Sequence, residues 1–248
     1  MLFRSSAIRY TANHDQSDMD KIFREVINAR ADILFASAVV LCEGITEELA
    51  LPVYFTEYFN CAPYSLGVSI INIGGKNKYK PFLSLVKDFD IPWFIFSDGE
   101  AEAITAVKSA IKEVFGVDDY KTLGNVIVLE NGDDYEDYLI REGYSDLIID
   151  AICEYEHDTS YFNSYISRMN GQKRKGNNIR NYIQENGQHD ALVDLCHEGK
   201  TCYALPVAKK IIENTDQAKR IPPKVKELLS AIADRIGAHK ALIVEDKL

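Results

Sequence analysis

The sequence predicts an α/β fold, a parallel sheet covered on both faces by helices. Two observations predict it. Short apolar runs recur through the first half of the chain, each closed by a glycine or an acidic residue; such runs suit strands buried on both faces. Between them lie longer stretches with apolar residues at helical spacing, and strand–helix alternation implies parallel crossovers rather than hairpins.

Residues 15–35 read as an amphipathic helix, with Met19, Ile22, Phe23, Val26, Ile27, Ile33 and Leu34 at helical spacing. Ala38 to Cys42 reads as the first strand, and Thr46 to Phe59 as the following helix with Thr46 as its N-cap. Val68 to Ile73 is the second strand, ended by Gly74-Gly75, and Tyr79 to Phe89 a helix with Pro81 in its first turn. Trp93 to Phe96 is the third strand, Ala101 to Phe115 the next helix, and Val126 to Leu129 the fourth strand. Strand signals then stop. Residues 134–198 read as helical and more polar, with loops near Asn170-Gly171 and Asn186-Gly187; Lys200 to Glu213 and Pro222 to Ile236 form two further helices. The chain divides into a helical lead-in (1–36), a core (37–135), a helical insertion (136–198) and C-terminal helices that return to the core (199–248).

Composition excludes several classes. The 248 residues are 46% hydrophobic and 27% charged, an ordinary globular balance. No apolar run is long enough for a membrane span, and the N-terminus is too short and polar for a signal peptide. Five scattered cysteines give no disulfide framework, so a reducing cytoplasm is expected, and Cys196, His197 and Cys202 do not supply the four placed ligands of a zinc site. The net charge of −10 argues against a passive nucleic-acid coat. It does not argue against a nuclease whose carboxylates are neutralised by cations.

The acids fall where an open parallel sheet binds ligands, beyond the carboxyl ends of its strands. Glu43 closes the first strand and Glu47 follows one turn later; Asp98 and Glu100 follow the third; Asp133, Asp134 and Glu136 follow the fourth. Acids at such positions also serve as caps that suit the helix dipole. Three strand ends delivering acid to one rim is harder to explain that way, because crowded like charges need a cation among them. A pair of divalent ions roughly 3.5–4 Å apart would suit phosphodiester cleavage.

Five segments in order resemble the TOPRIM region of the overcoming lysogenization defect (OLD) family, of which the Gabija-type defence nuclease is a close relative. LCEGITEELALP (41–52) resembles the glutamate motif, INIGGKNKYKPFL (71–83) the next strand and loop, and IPWFIFSDGE (91–100) the DxD motif, with Glu100 where the usual residue is aspartate. VIVLENGDDYEDYL (126–139) resembles the segment with further metal ligands, and GKTCYALPVAKKI (199–211) the one with the catalytic lysine. The resemblance covers about residues 30–240. It implies a TOPRIM, Rossmann-like fold and a two-metal DNA endonuclease acting in phage defence or DNA repair. It places Glu47 and Asp98 on one ion, and Glu43, Glu100, Asp134 and Glu136 at or near the second. The ions would be Mg²⁺ or Mn²⁺, with Ca²⁺ as an inactive substitute. Lys200 takes the role of catalytic cation.

Asp133 and Glu48 read as solvent-facing neighbours. Lys76, Lys78 and Lys80, and the basic stretch Lys173, Arg174, Lys175 and Arg180, either contact DNA phosphates or form solvated loops. Tyr161, Phe162 and Tyr165 read as core rather than as base-stacking platforms. The resemblance further implies an ABC-type ATPase domain ahead of this region, a UvrD-like helicase partner and homo-oligomers of the full-length protein. The sequence has no GxxxxGK[ST] loop, so it is expected to be the C-terminal part of a longer protein or a natural short relative. The competing readings are a catalytically silent TOPRIM module that binds nucleic acid or a partner, and a topoisomerase or primase relative, for which the tyrosine domain and zinc module are missing.

Overall fold

The computed structural model describes residues 16–22, 24, 26, 30–174, 178–184 and 187–238. The sheet has four strands, β1 (Ala38–Cys42), β2 (Val68–Asn72), β3 (Trp93–Ser97) and β4 (Val126–Val128), in the order β2-β1-β3-β4. Every pairing is parallel. The helices that link them are α2 (Ile45–Phe59) between β1 and β2, α3 (Tyr79–Asp88) between β2 and β3, and α4 (Ala101–Phe115) between β3 and β4. The chain leaves β1 for β2 on one side and returns to β3 on the other. This places the topological switch point at the carboxyl ends of β1 and β3.

The strands alternate their side chains between two cores, as a period of two requires. Val39, Leu41, Ile71 and Ile95 face one side, where they pack with Leu83 and Val86 of α3 and Val107 and Ile111 of α4. Ala38, Val40, Cys42, Phe94 and Phe96 face the other, against Ala50, Leu51, Tyr54 and Phe55 of α2. The whole of β1 is buried, which is why it is apolar at every position. Each large aliphatic side chain taken out of water on these faces contributes about 1.5–3 kcal/mol.

After β4 come α5 (Tyr135–Leu139), a five-residue π-type segment (Ile140–Tyr144), α6 (Ser145–Tyr155), α7 (Tyr161–Met169), α8 (Gly187–Glu198), α9 (Lys200–Ile212) and α10 (Pro223–Ile236). Helix α9 packs along α2 and α6. It contributes Val207, Ala208 and Ile211 to the same core as β1, and α10 adds Val225, Leu228 and Ile232. The C-terminal third of the chain therefore closes the α2 face of the sheet. Phe162 and Tyr165 of α7 are buried in this core, and Tyr161 packs against it.

Three local readings change. Within 15–35, α1 spans Gln16–Ile22 while Ala31–Phe35 is a 3₁₀ turn rather than more α-helix; Phe23 and Ile27 lie outside the described residues. Thr46 is not the N-cap of α2. Gly44 holds that position, and Thr46 is buried inside the first turn with its hydroxyl turned to another chain segment. Gly187 begins α8 instead of sitting in a loop, and Asn186 lies outside the described residues.

Candidate metal centre

The rim is assembled from three strand ends. At the first, Glu43 Oε1 accepts hydrogen bonds from Ser97 Oγ at 2.6 Å and Tyr79 Oη at 3.2 Å, which ties β1, β3 and α3 together. Burial raises the pKa of Glu43, and the two hydroxyl donors and Lys76 hold it back. Glu47 sits one turn into α2 and is only 4% exposed. Its carboxylate folds back over the helix entry, so that a Cβ on residue 44 would lie 2.8 Å from Glu47 Oε2. Burial, reinforced by the charge of Glu136, pushes Glu47 up to about 7 against the pull of its own backbone N–H and of Lys200.

Asp98 follows β3. Burial, then the charges of Glu47, Glu43, Asp134 and Glu136, push it up to about 8. Its Oδ1 is buried without a hydrogen-bond partner. The next residue must be small, because a Cβ at Gly99 would lie 2.4 Å from the Leu129 carbonyl oxygen. Gly99 N–H donates to the Asp133 carbonyl at 2.8 Å. The loops after β3 and β4 are thus fastened to each other.

The third strand end turns through Asn131 and Gly132, both at positive φ, into α5. Asp134 caps α5, its Oδ1 accepting from the Asp137 amide at 2.9 Å. Glu136 is buried in the first turn. Its Oε1 accepts from Thr46 Oγ1 at 2.7 Å and its Oε2 from Lys200 Nζ at 3.1 Å. Lys200 opens α9, and burial would lower its pKa, but Glu136, Asp134 and Glu47 hold it above its ordinary value. His197, in the last turn of α8, places Nε2 at 2.7 Å from Asp134 Oδ2 and 3.8 Å from Glu136 Oε2. The hydrogen bond to Asp134 raises its pKa. Burial alone would raise Asp134, yet the bonds from His197 and the Asp137 amide hold it below the usual range.

Glu43, Glu47, Asp98, Asp134, Glu136 and Lys200 therefore share one rim. Glu47 and Asp98 are its middle, since each feels both Glu43 and Glu136. Glu100 stands at the edge: its side chain is 52% exposed and meets Lys76 at 3.4 Å. Lys76 also binds Glu102, so its charge is already matched. Asp133 is buried rather than solvent-facing and pairs with Arg141 at 2.6 Å; Glu48 is half-buried and pairs with Arg30. Lys78 is exposed, and Lys80 lies 3.2 Å from Glu113. Lys173 is exposed beside a bridge to Ile179, but Arg174 and Arg180 both grip Asp194 of α8, and Arg180 also Glu198. Lys175 lies outside the described residues.

Sequence reasoning missed His197 and Thr46. The histidine's signal was its place three residues before Lys200, across the α8–α9 break.

The donor set is oxygen-rich and anionic, one carboxylate oxygen is buried without a partner, and burial with neighbouring charge pushes Glu47 and Asp98 up toward neutrality. All three features fit hard divalent cations. Asp134, Glu136 and His197 form a group whose ligand atoms all lie within 4.8 Å of one another.

Residues 34–99 match the family model for the overcoming lysogenization defect protein-like TOPRIM domain. They form an OLD-like TOPRIM domain. The fold agrees: the C-terminal region of the Xanthomonas campestris pv. campestris OLD protein, phased with platinum, superposes with a TM-score of 0.60 at 20% identity, over 84% of this chain and 97% of that one. The same region phased with mercury gives 0.58 at 20% identity, over 82% and 98%. The C-terminal region of the Burkholderia pseudomallei OLD protein gives 0.56 at 18% identity, over 82% and 99%. No curated protein matches the chain. Within the matched TOPRIM stretch lie Glu43, Glu47 and Asp98; Glu136, His197 and Lys200 come from beyond it and are joined to it by the contacts above. A TOPRIM core with this acid rim has the make-up of a nuclease-like, metal-binding module. No helix among the described residues is long and apolar enough to cross a membrane.

Proposed function

We propose that the chain is the catalytic part of a metal-dependent DNA endonuclease of the OLD type. The observation that carries this reading is the unpartnered, buried Asp98 Oδ1 among Glu43, Glu47 and Glu136, with Lys200 beside them. A stability function does not account for such a set, because like charges in a partly dry cleft destabilise the fold that holds them.

Glu47 and Asp98 would hold one divalent ion; Glu43, Asp134 and Glu136 would serve the second, with Glu100 at the margin. When bound, Mg²⁺ or Mn²⁺ supplies Lewis-acid polarisation and neutralises charge on the phosphoryl oxygens. The chain's own contribution is positional. Ser97 and Tyr79 fix Glu43, Thr46 fixes Glu136, and Asp137 and His197 fix Asp134. Lys200 supplies a preorganised cation for charge that builds on the phosphoryl group or the leaving oxygen. Lys78 and Lys173, exposed and without a carboxylate at hand in the described contacts, are the better-placed residues for the DNA backbone. Phage defence or DNA repair is the setting this activity would serve.

The test is incubation of supercoiled plasmid with the purified chain and Mg²⁺ or Mn²⁺. Metal-dependent cleavage lost in both Glu47→Ala and Asp98→Ala is the expected result. Cleavage that persists in both variants places the chemistry elsewhere. Absence of cleavage by wild type, with metal bound, makes the chain a silent binding module.

A further inference from the structure

The second half of the centre does not hold every acid its motif implies. Glu100, expected from its motif to complete it, is half exposed and turned to Lys76. On the opposite side an imidazole has taken up a position among the acids. His197 reaches the rim from α8, an element unrelated to the strand ends, and its Nε2 faces Asp134 Oδ2 at 2.7 Å and Glu136 Oε2 at 3.8 Å. Donor atoms of all three residues lie within 4.8 Å of one another. An ion with bonds of about 2.0–2.2 Å spans such a triad with shifts of a few tenths of an ångström. A separate observation points to cations at this rim: the buried Oδ1 of Asp98, which joins the same rim, has no partner.

We propose that His197 is a nitrogen ligand for the ion held by Asp134 and Glu136, so that this half of the centre selects a transition ion such as Mn²⁺ over Mg²⁺. The inference rests on reading the rim as a metal centre, and adds the class of ion it takes. Imidazole binds first-row transition metals, whereas magnesium keeps oxygen and water ligands. Lys200 Nζ lies on the same Glu136 oxygen that His197 faces. An ion held there would share that oxygen with the ammonium.

The probe is MnCl₂ added to the purified full chain after chelation of metals, read by pulsed electron paramagnetic resonance. Wild type should show nuclear modulation from one imidazole ¹⁴N. The coupling should vanish in His197→Gln and in His197→Asn and persist in His189→Gln, whose imidazole lies beside Asp137 instead. The preference for Mn²⁺ over Mg²⁺, from competitive titration, should fall by about tenfold or more in the His197 variants. Melting curves in chelator confirm that each variant is folded; two replacements at a side chain that is 37% exposed guard against a single misfolded one. Mn²⁺ bound to wild type with no nitrogen coupling overturns the proposal and leaves an all-oxygen centre standing. Failure of wild type to bind Mn²⁺ overturns the metal centre itself and this proposal with it; nitrogen coupling that survives both Asp134→Ala and Glu136→Ala overturns the proposal alone, because the imidazole would then bind an ion those acids do not hold.

Discussion

Asp98→Asn should stabilise the metal-free protein at neutral pH while removing its stabilisation by metal. In the unfolded chain Asp98 ionises near 3.8; in the fold it holds its proton to about 8. Below the unfolded value both states are protonated and the fold keeps its full stability. As pH rises toward 8 the unfolded state ionises freely and the folded state does not, so stability is lost across that window. Three pH units between 5 and 8, at about 1.4 kcal/mol each, give about 4 kcal/mol, and the open side of the cleft trims this to roughly 2–4 kcal/mol. Asparagine does not titrate and escapes the loss. Urea unfolding in chelator at pH 5, 6, 7 and 8 should therefore show the variant gaining on wild type steadily with pH. Added divalent ion should then restore wild type, by about 2.7 kcal/mol at a hundred times its dissociation constant, and leave the variant nearly unmoved. A difference between the two proteins that stays flat from pH 5 to 8 would refute the picture of an ion-free cleft crowded with charge.

Three other perturbations test the supports of the rim. Lys200→Met should lower the cleavage rate about 10²–10³-fold while metal affinity, measured by calorimetry, stays equal or rises. Thr46→Val deletes the buried donor to Glu136 Oε1 and should cost about 1–3 kcal/mol in urea unfolding, with Thr46→Ser restoring most of it. Gly99→Ala drives a methyl group against the Leu129 carbonyl. It should destabilise by about 1–3 kcal/mol and depress cleavage out of proportion, because the loops carrying Asp98 and Asp134 would shift together.

The strands were legible to within a residue or two because parallel strands buried on both faces must be apolar throughout, and Val-Val-Leu or Phe-Ile-Phe leaves little else to read. The acids at their ends were legible for the same reason: strand ends locate the rim, Glu43 and Asp98 follow β1 and β3 directly, and Asp134 closes the loop after β4. What could not be read were contacts between segments far apart in sequence. Thr46 looks like a cap until Glu136, which lies 90 residues on, offers its carboxylate. His197 looks like one member of a weak Cys/His group until α8 brings it to Asp134. Arg174 and Arg180 look like a free basic arm until Asp194 is found between them. Glu100 sits in the DxD motif by spacing, yet its longer side chain leans out to Lys76.

The order in which the rim's members are synthesised matters as well. A nascent chain emerging from the ribosome delivers Glu43, Glu47 and Asp98 first and Lys200 last, on a helix that packs against α2 and α6. At about 5–20 residues per second, the acids precede their ammonium partner by on the order of 5–20 s. During that interval the half-made cleft lacks the Lys200 ammonium that Glu136 meets, so the complete rim exists only once translation has passed the last two helices.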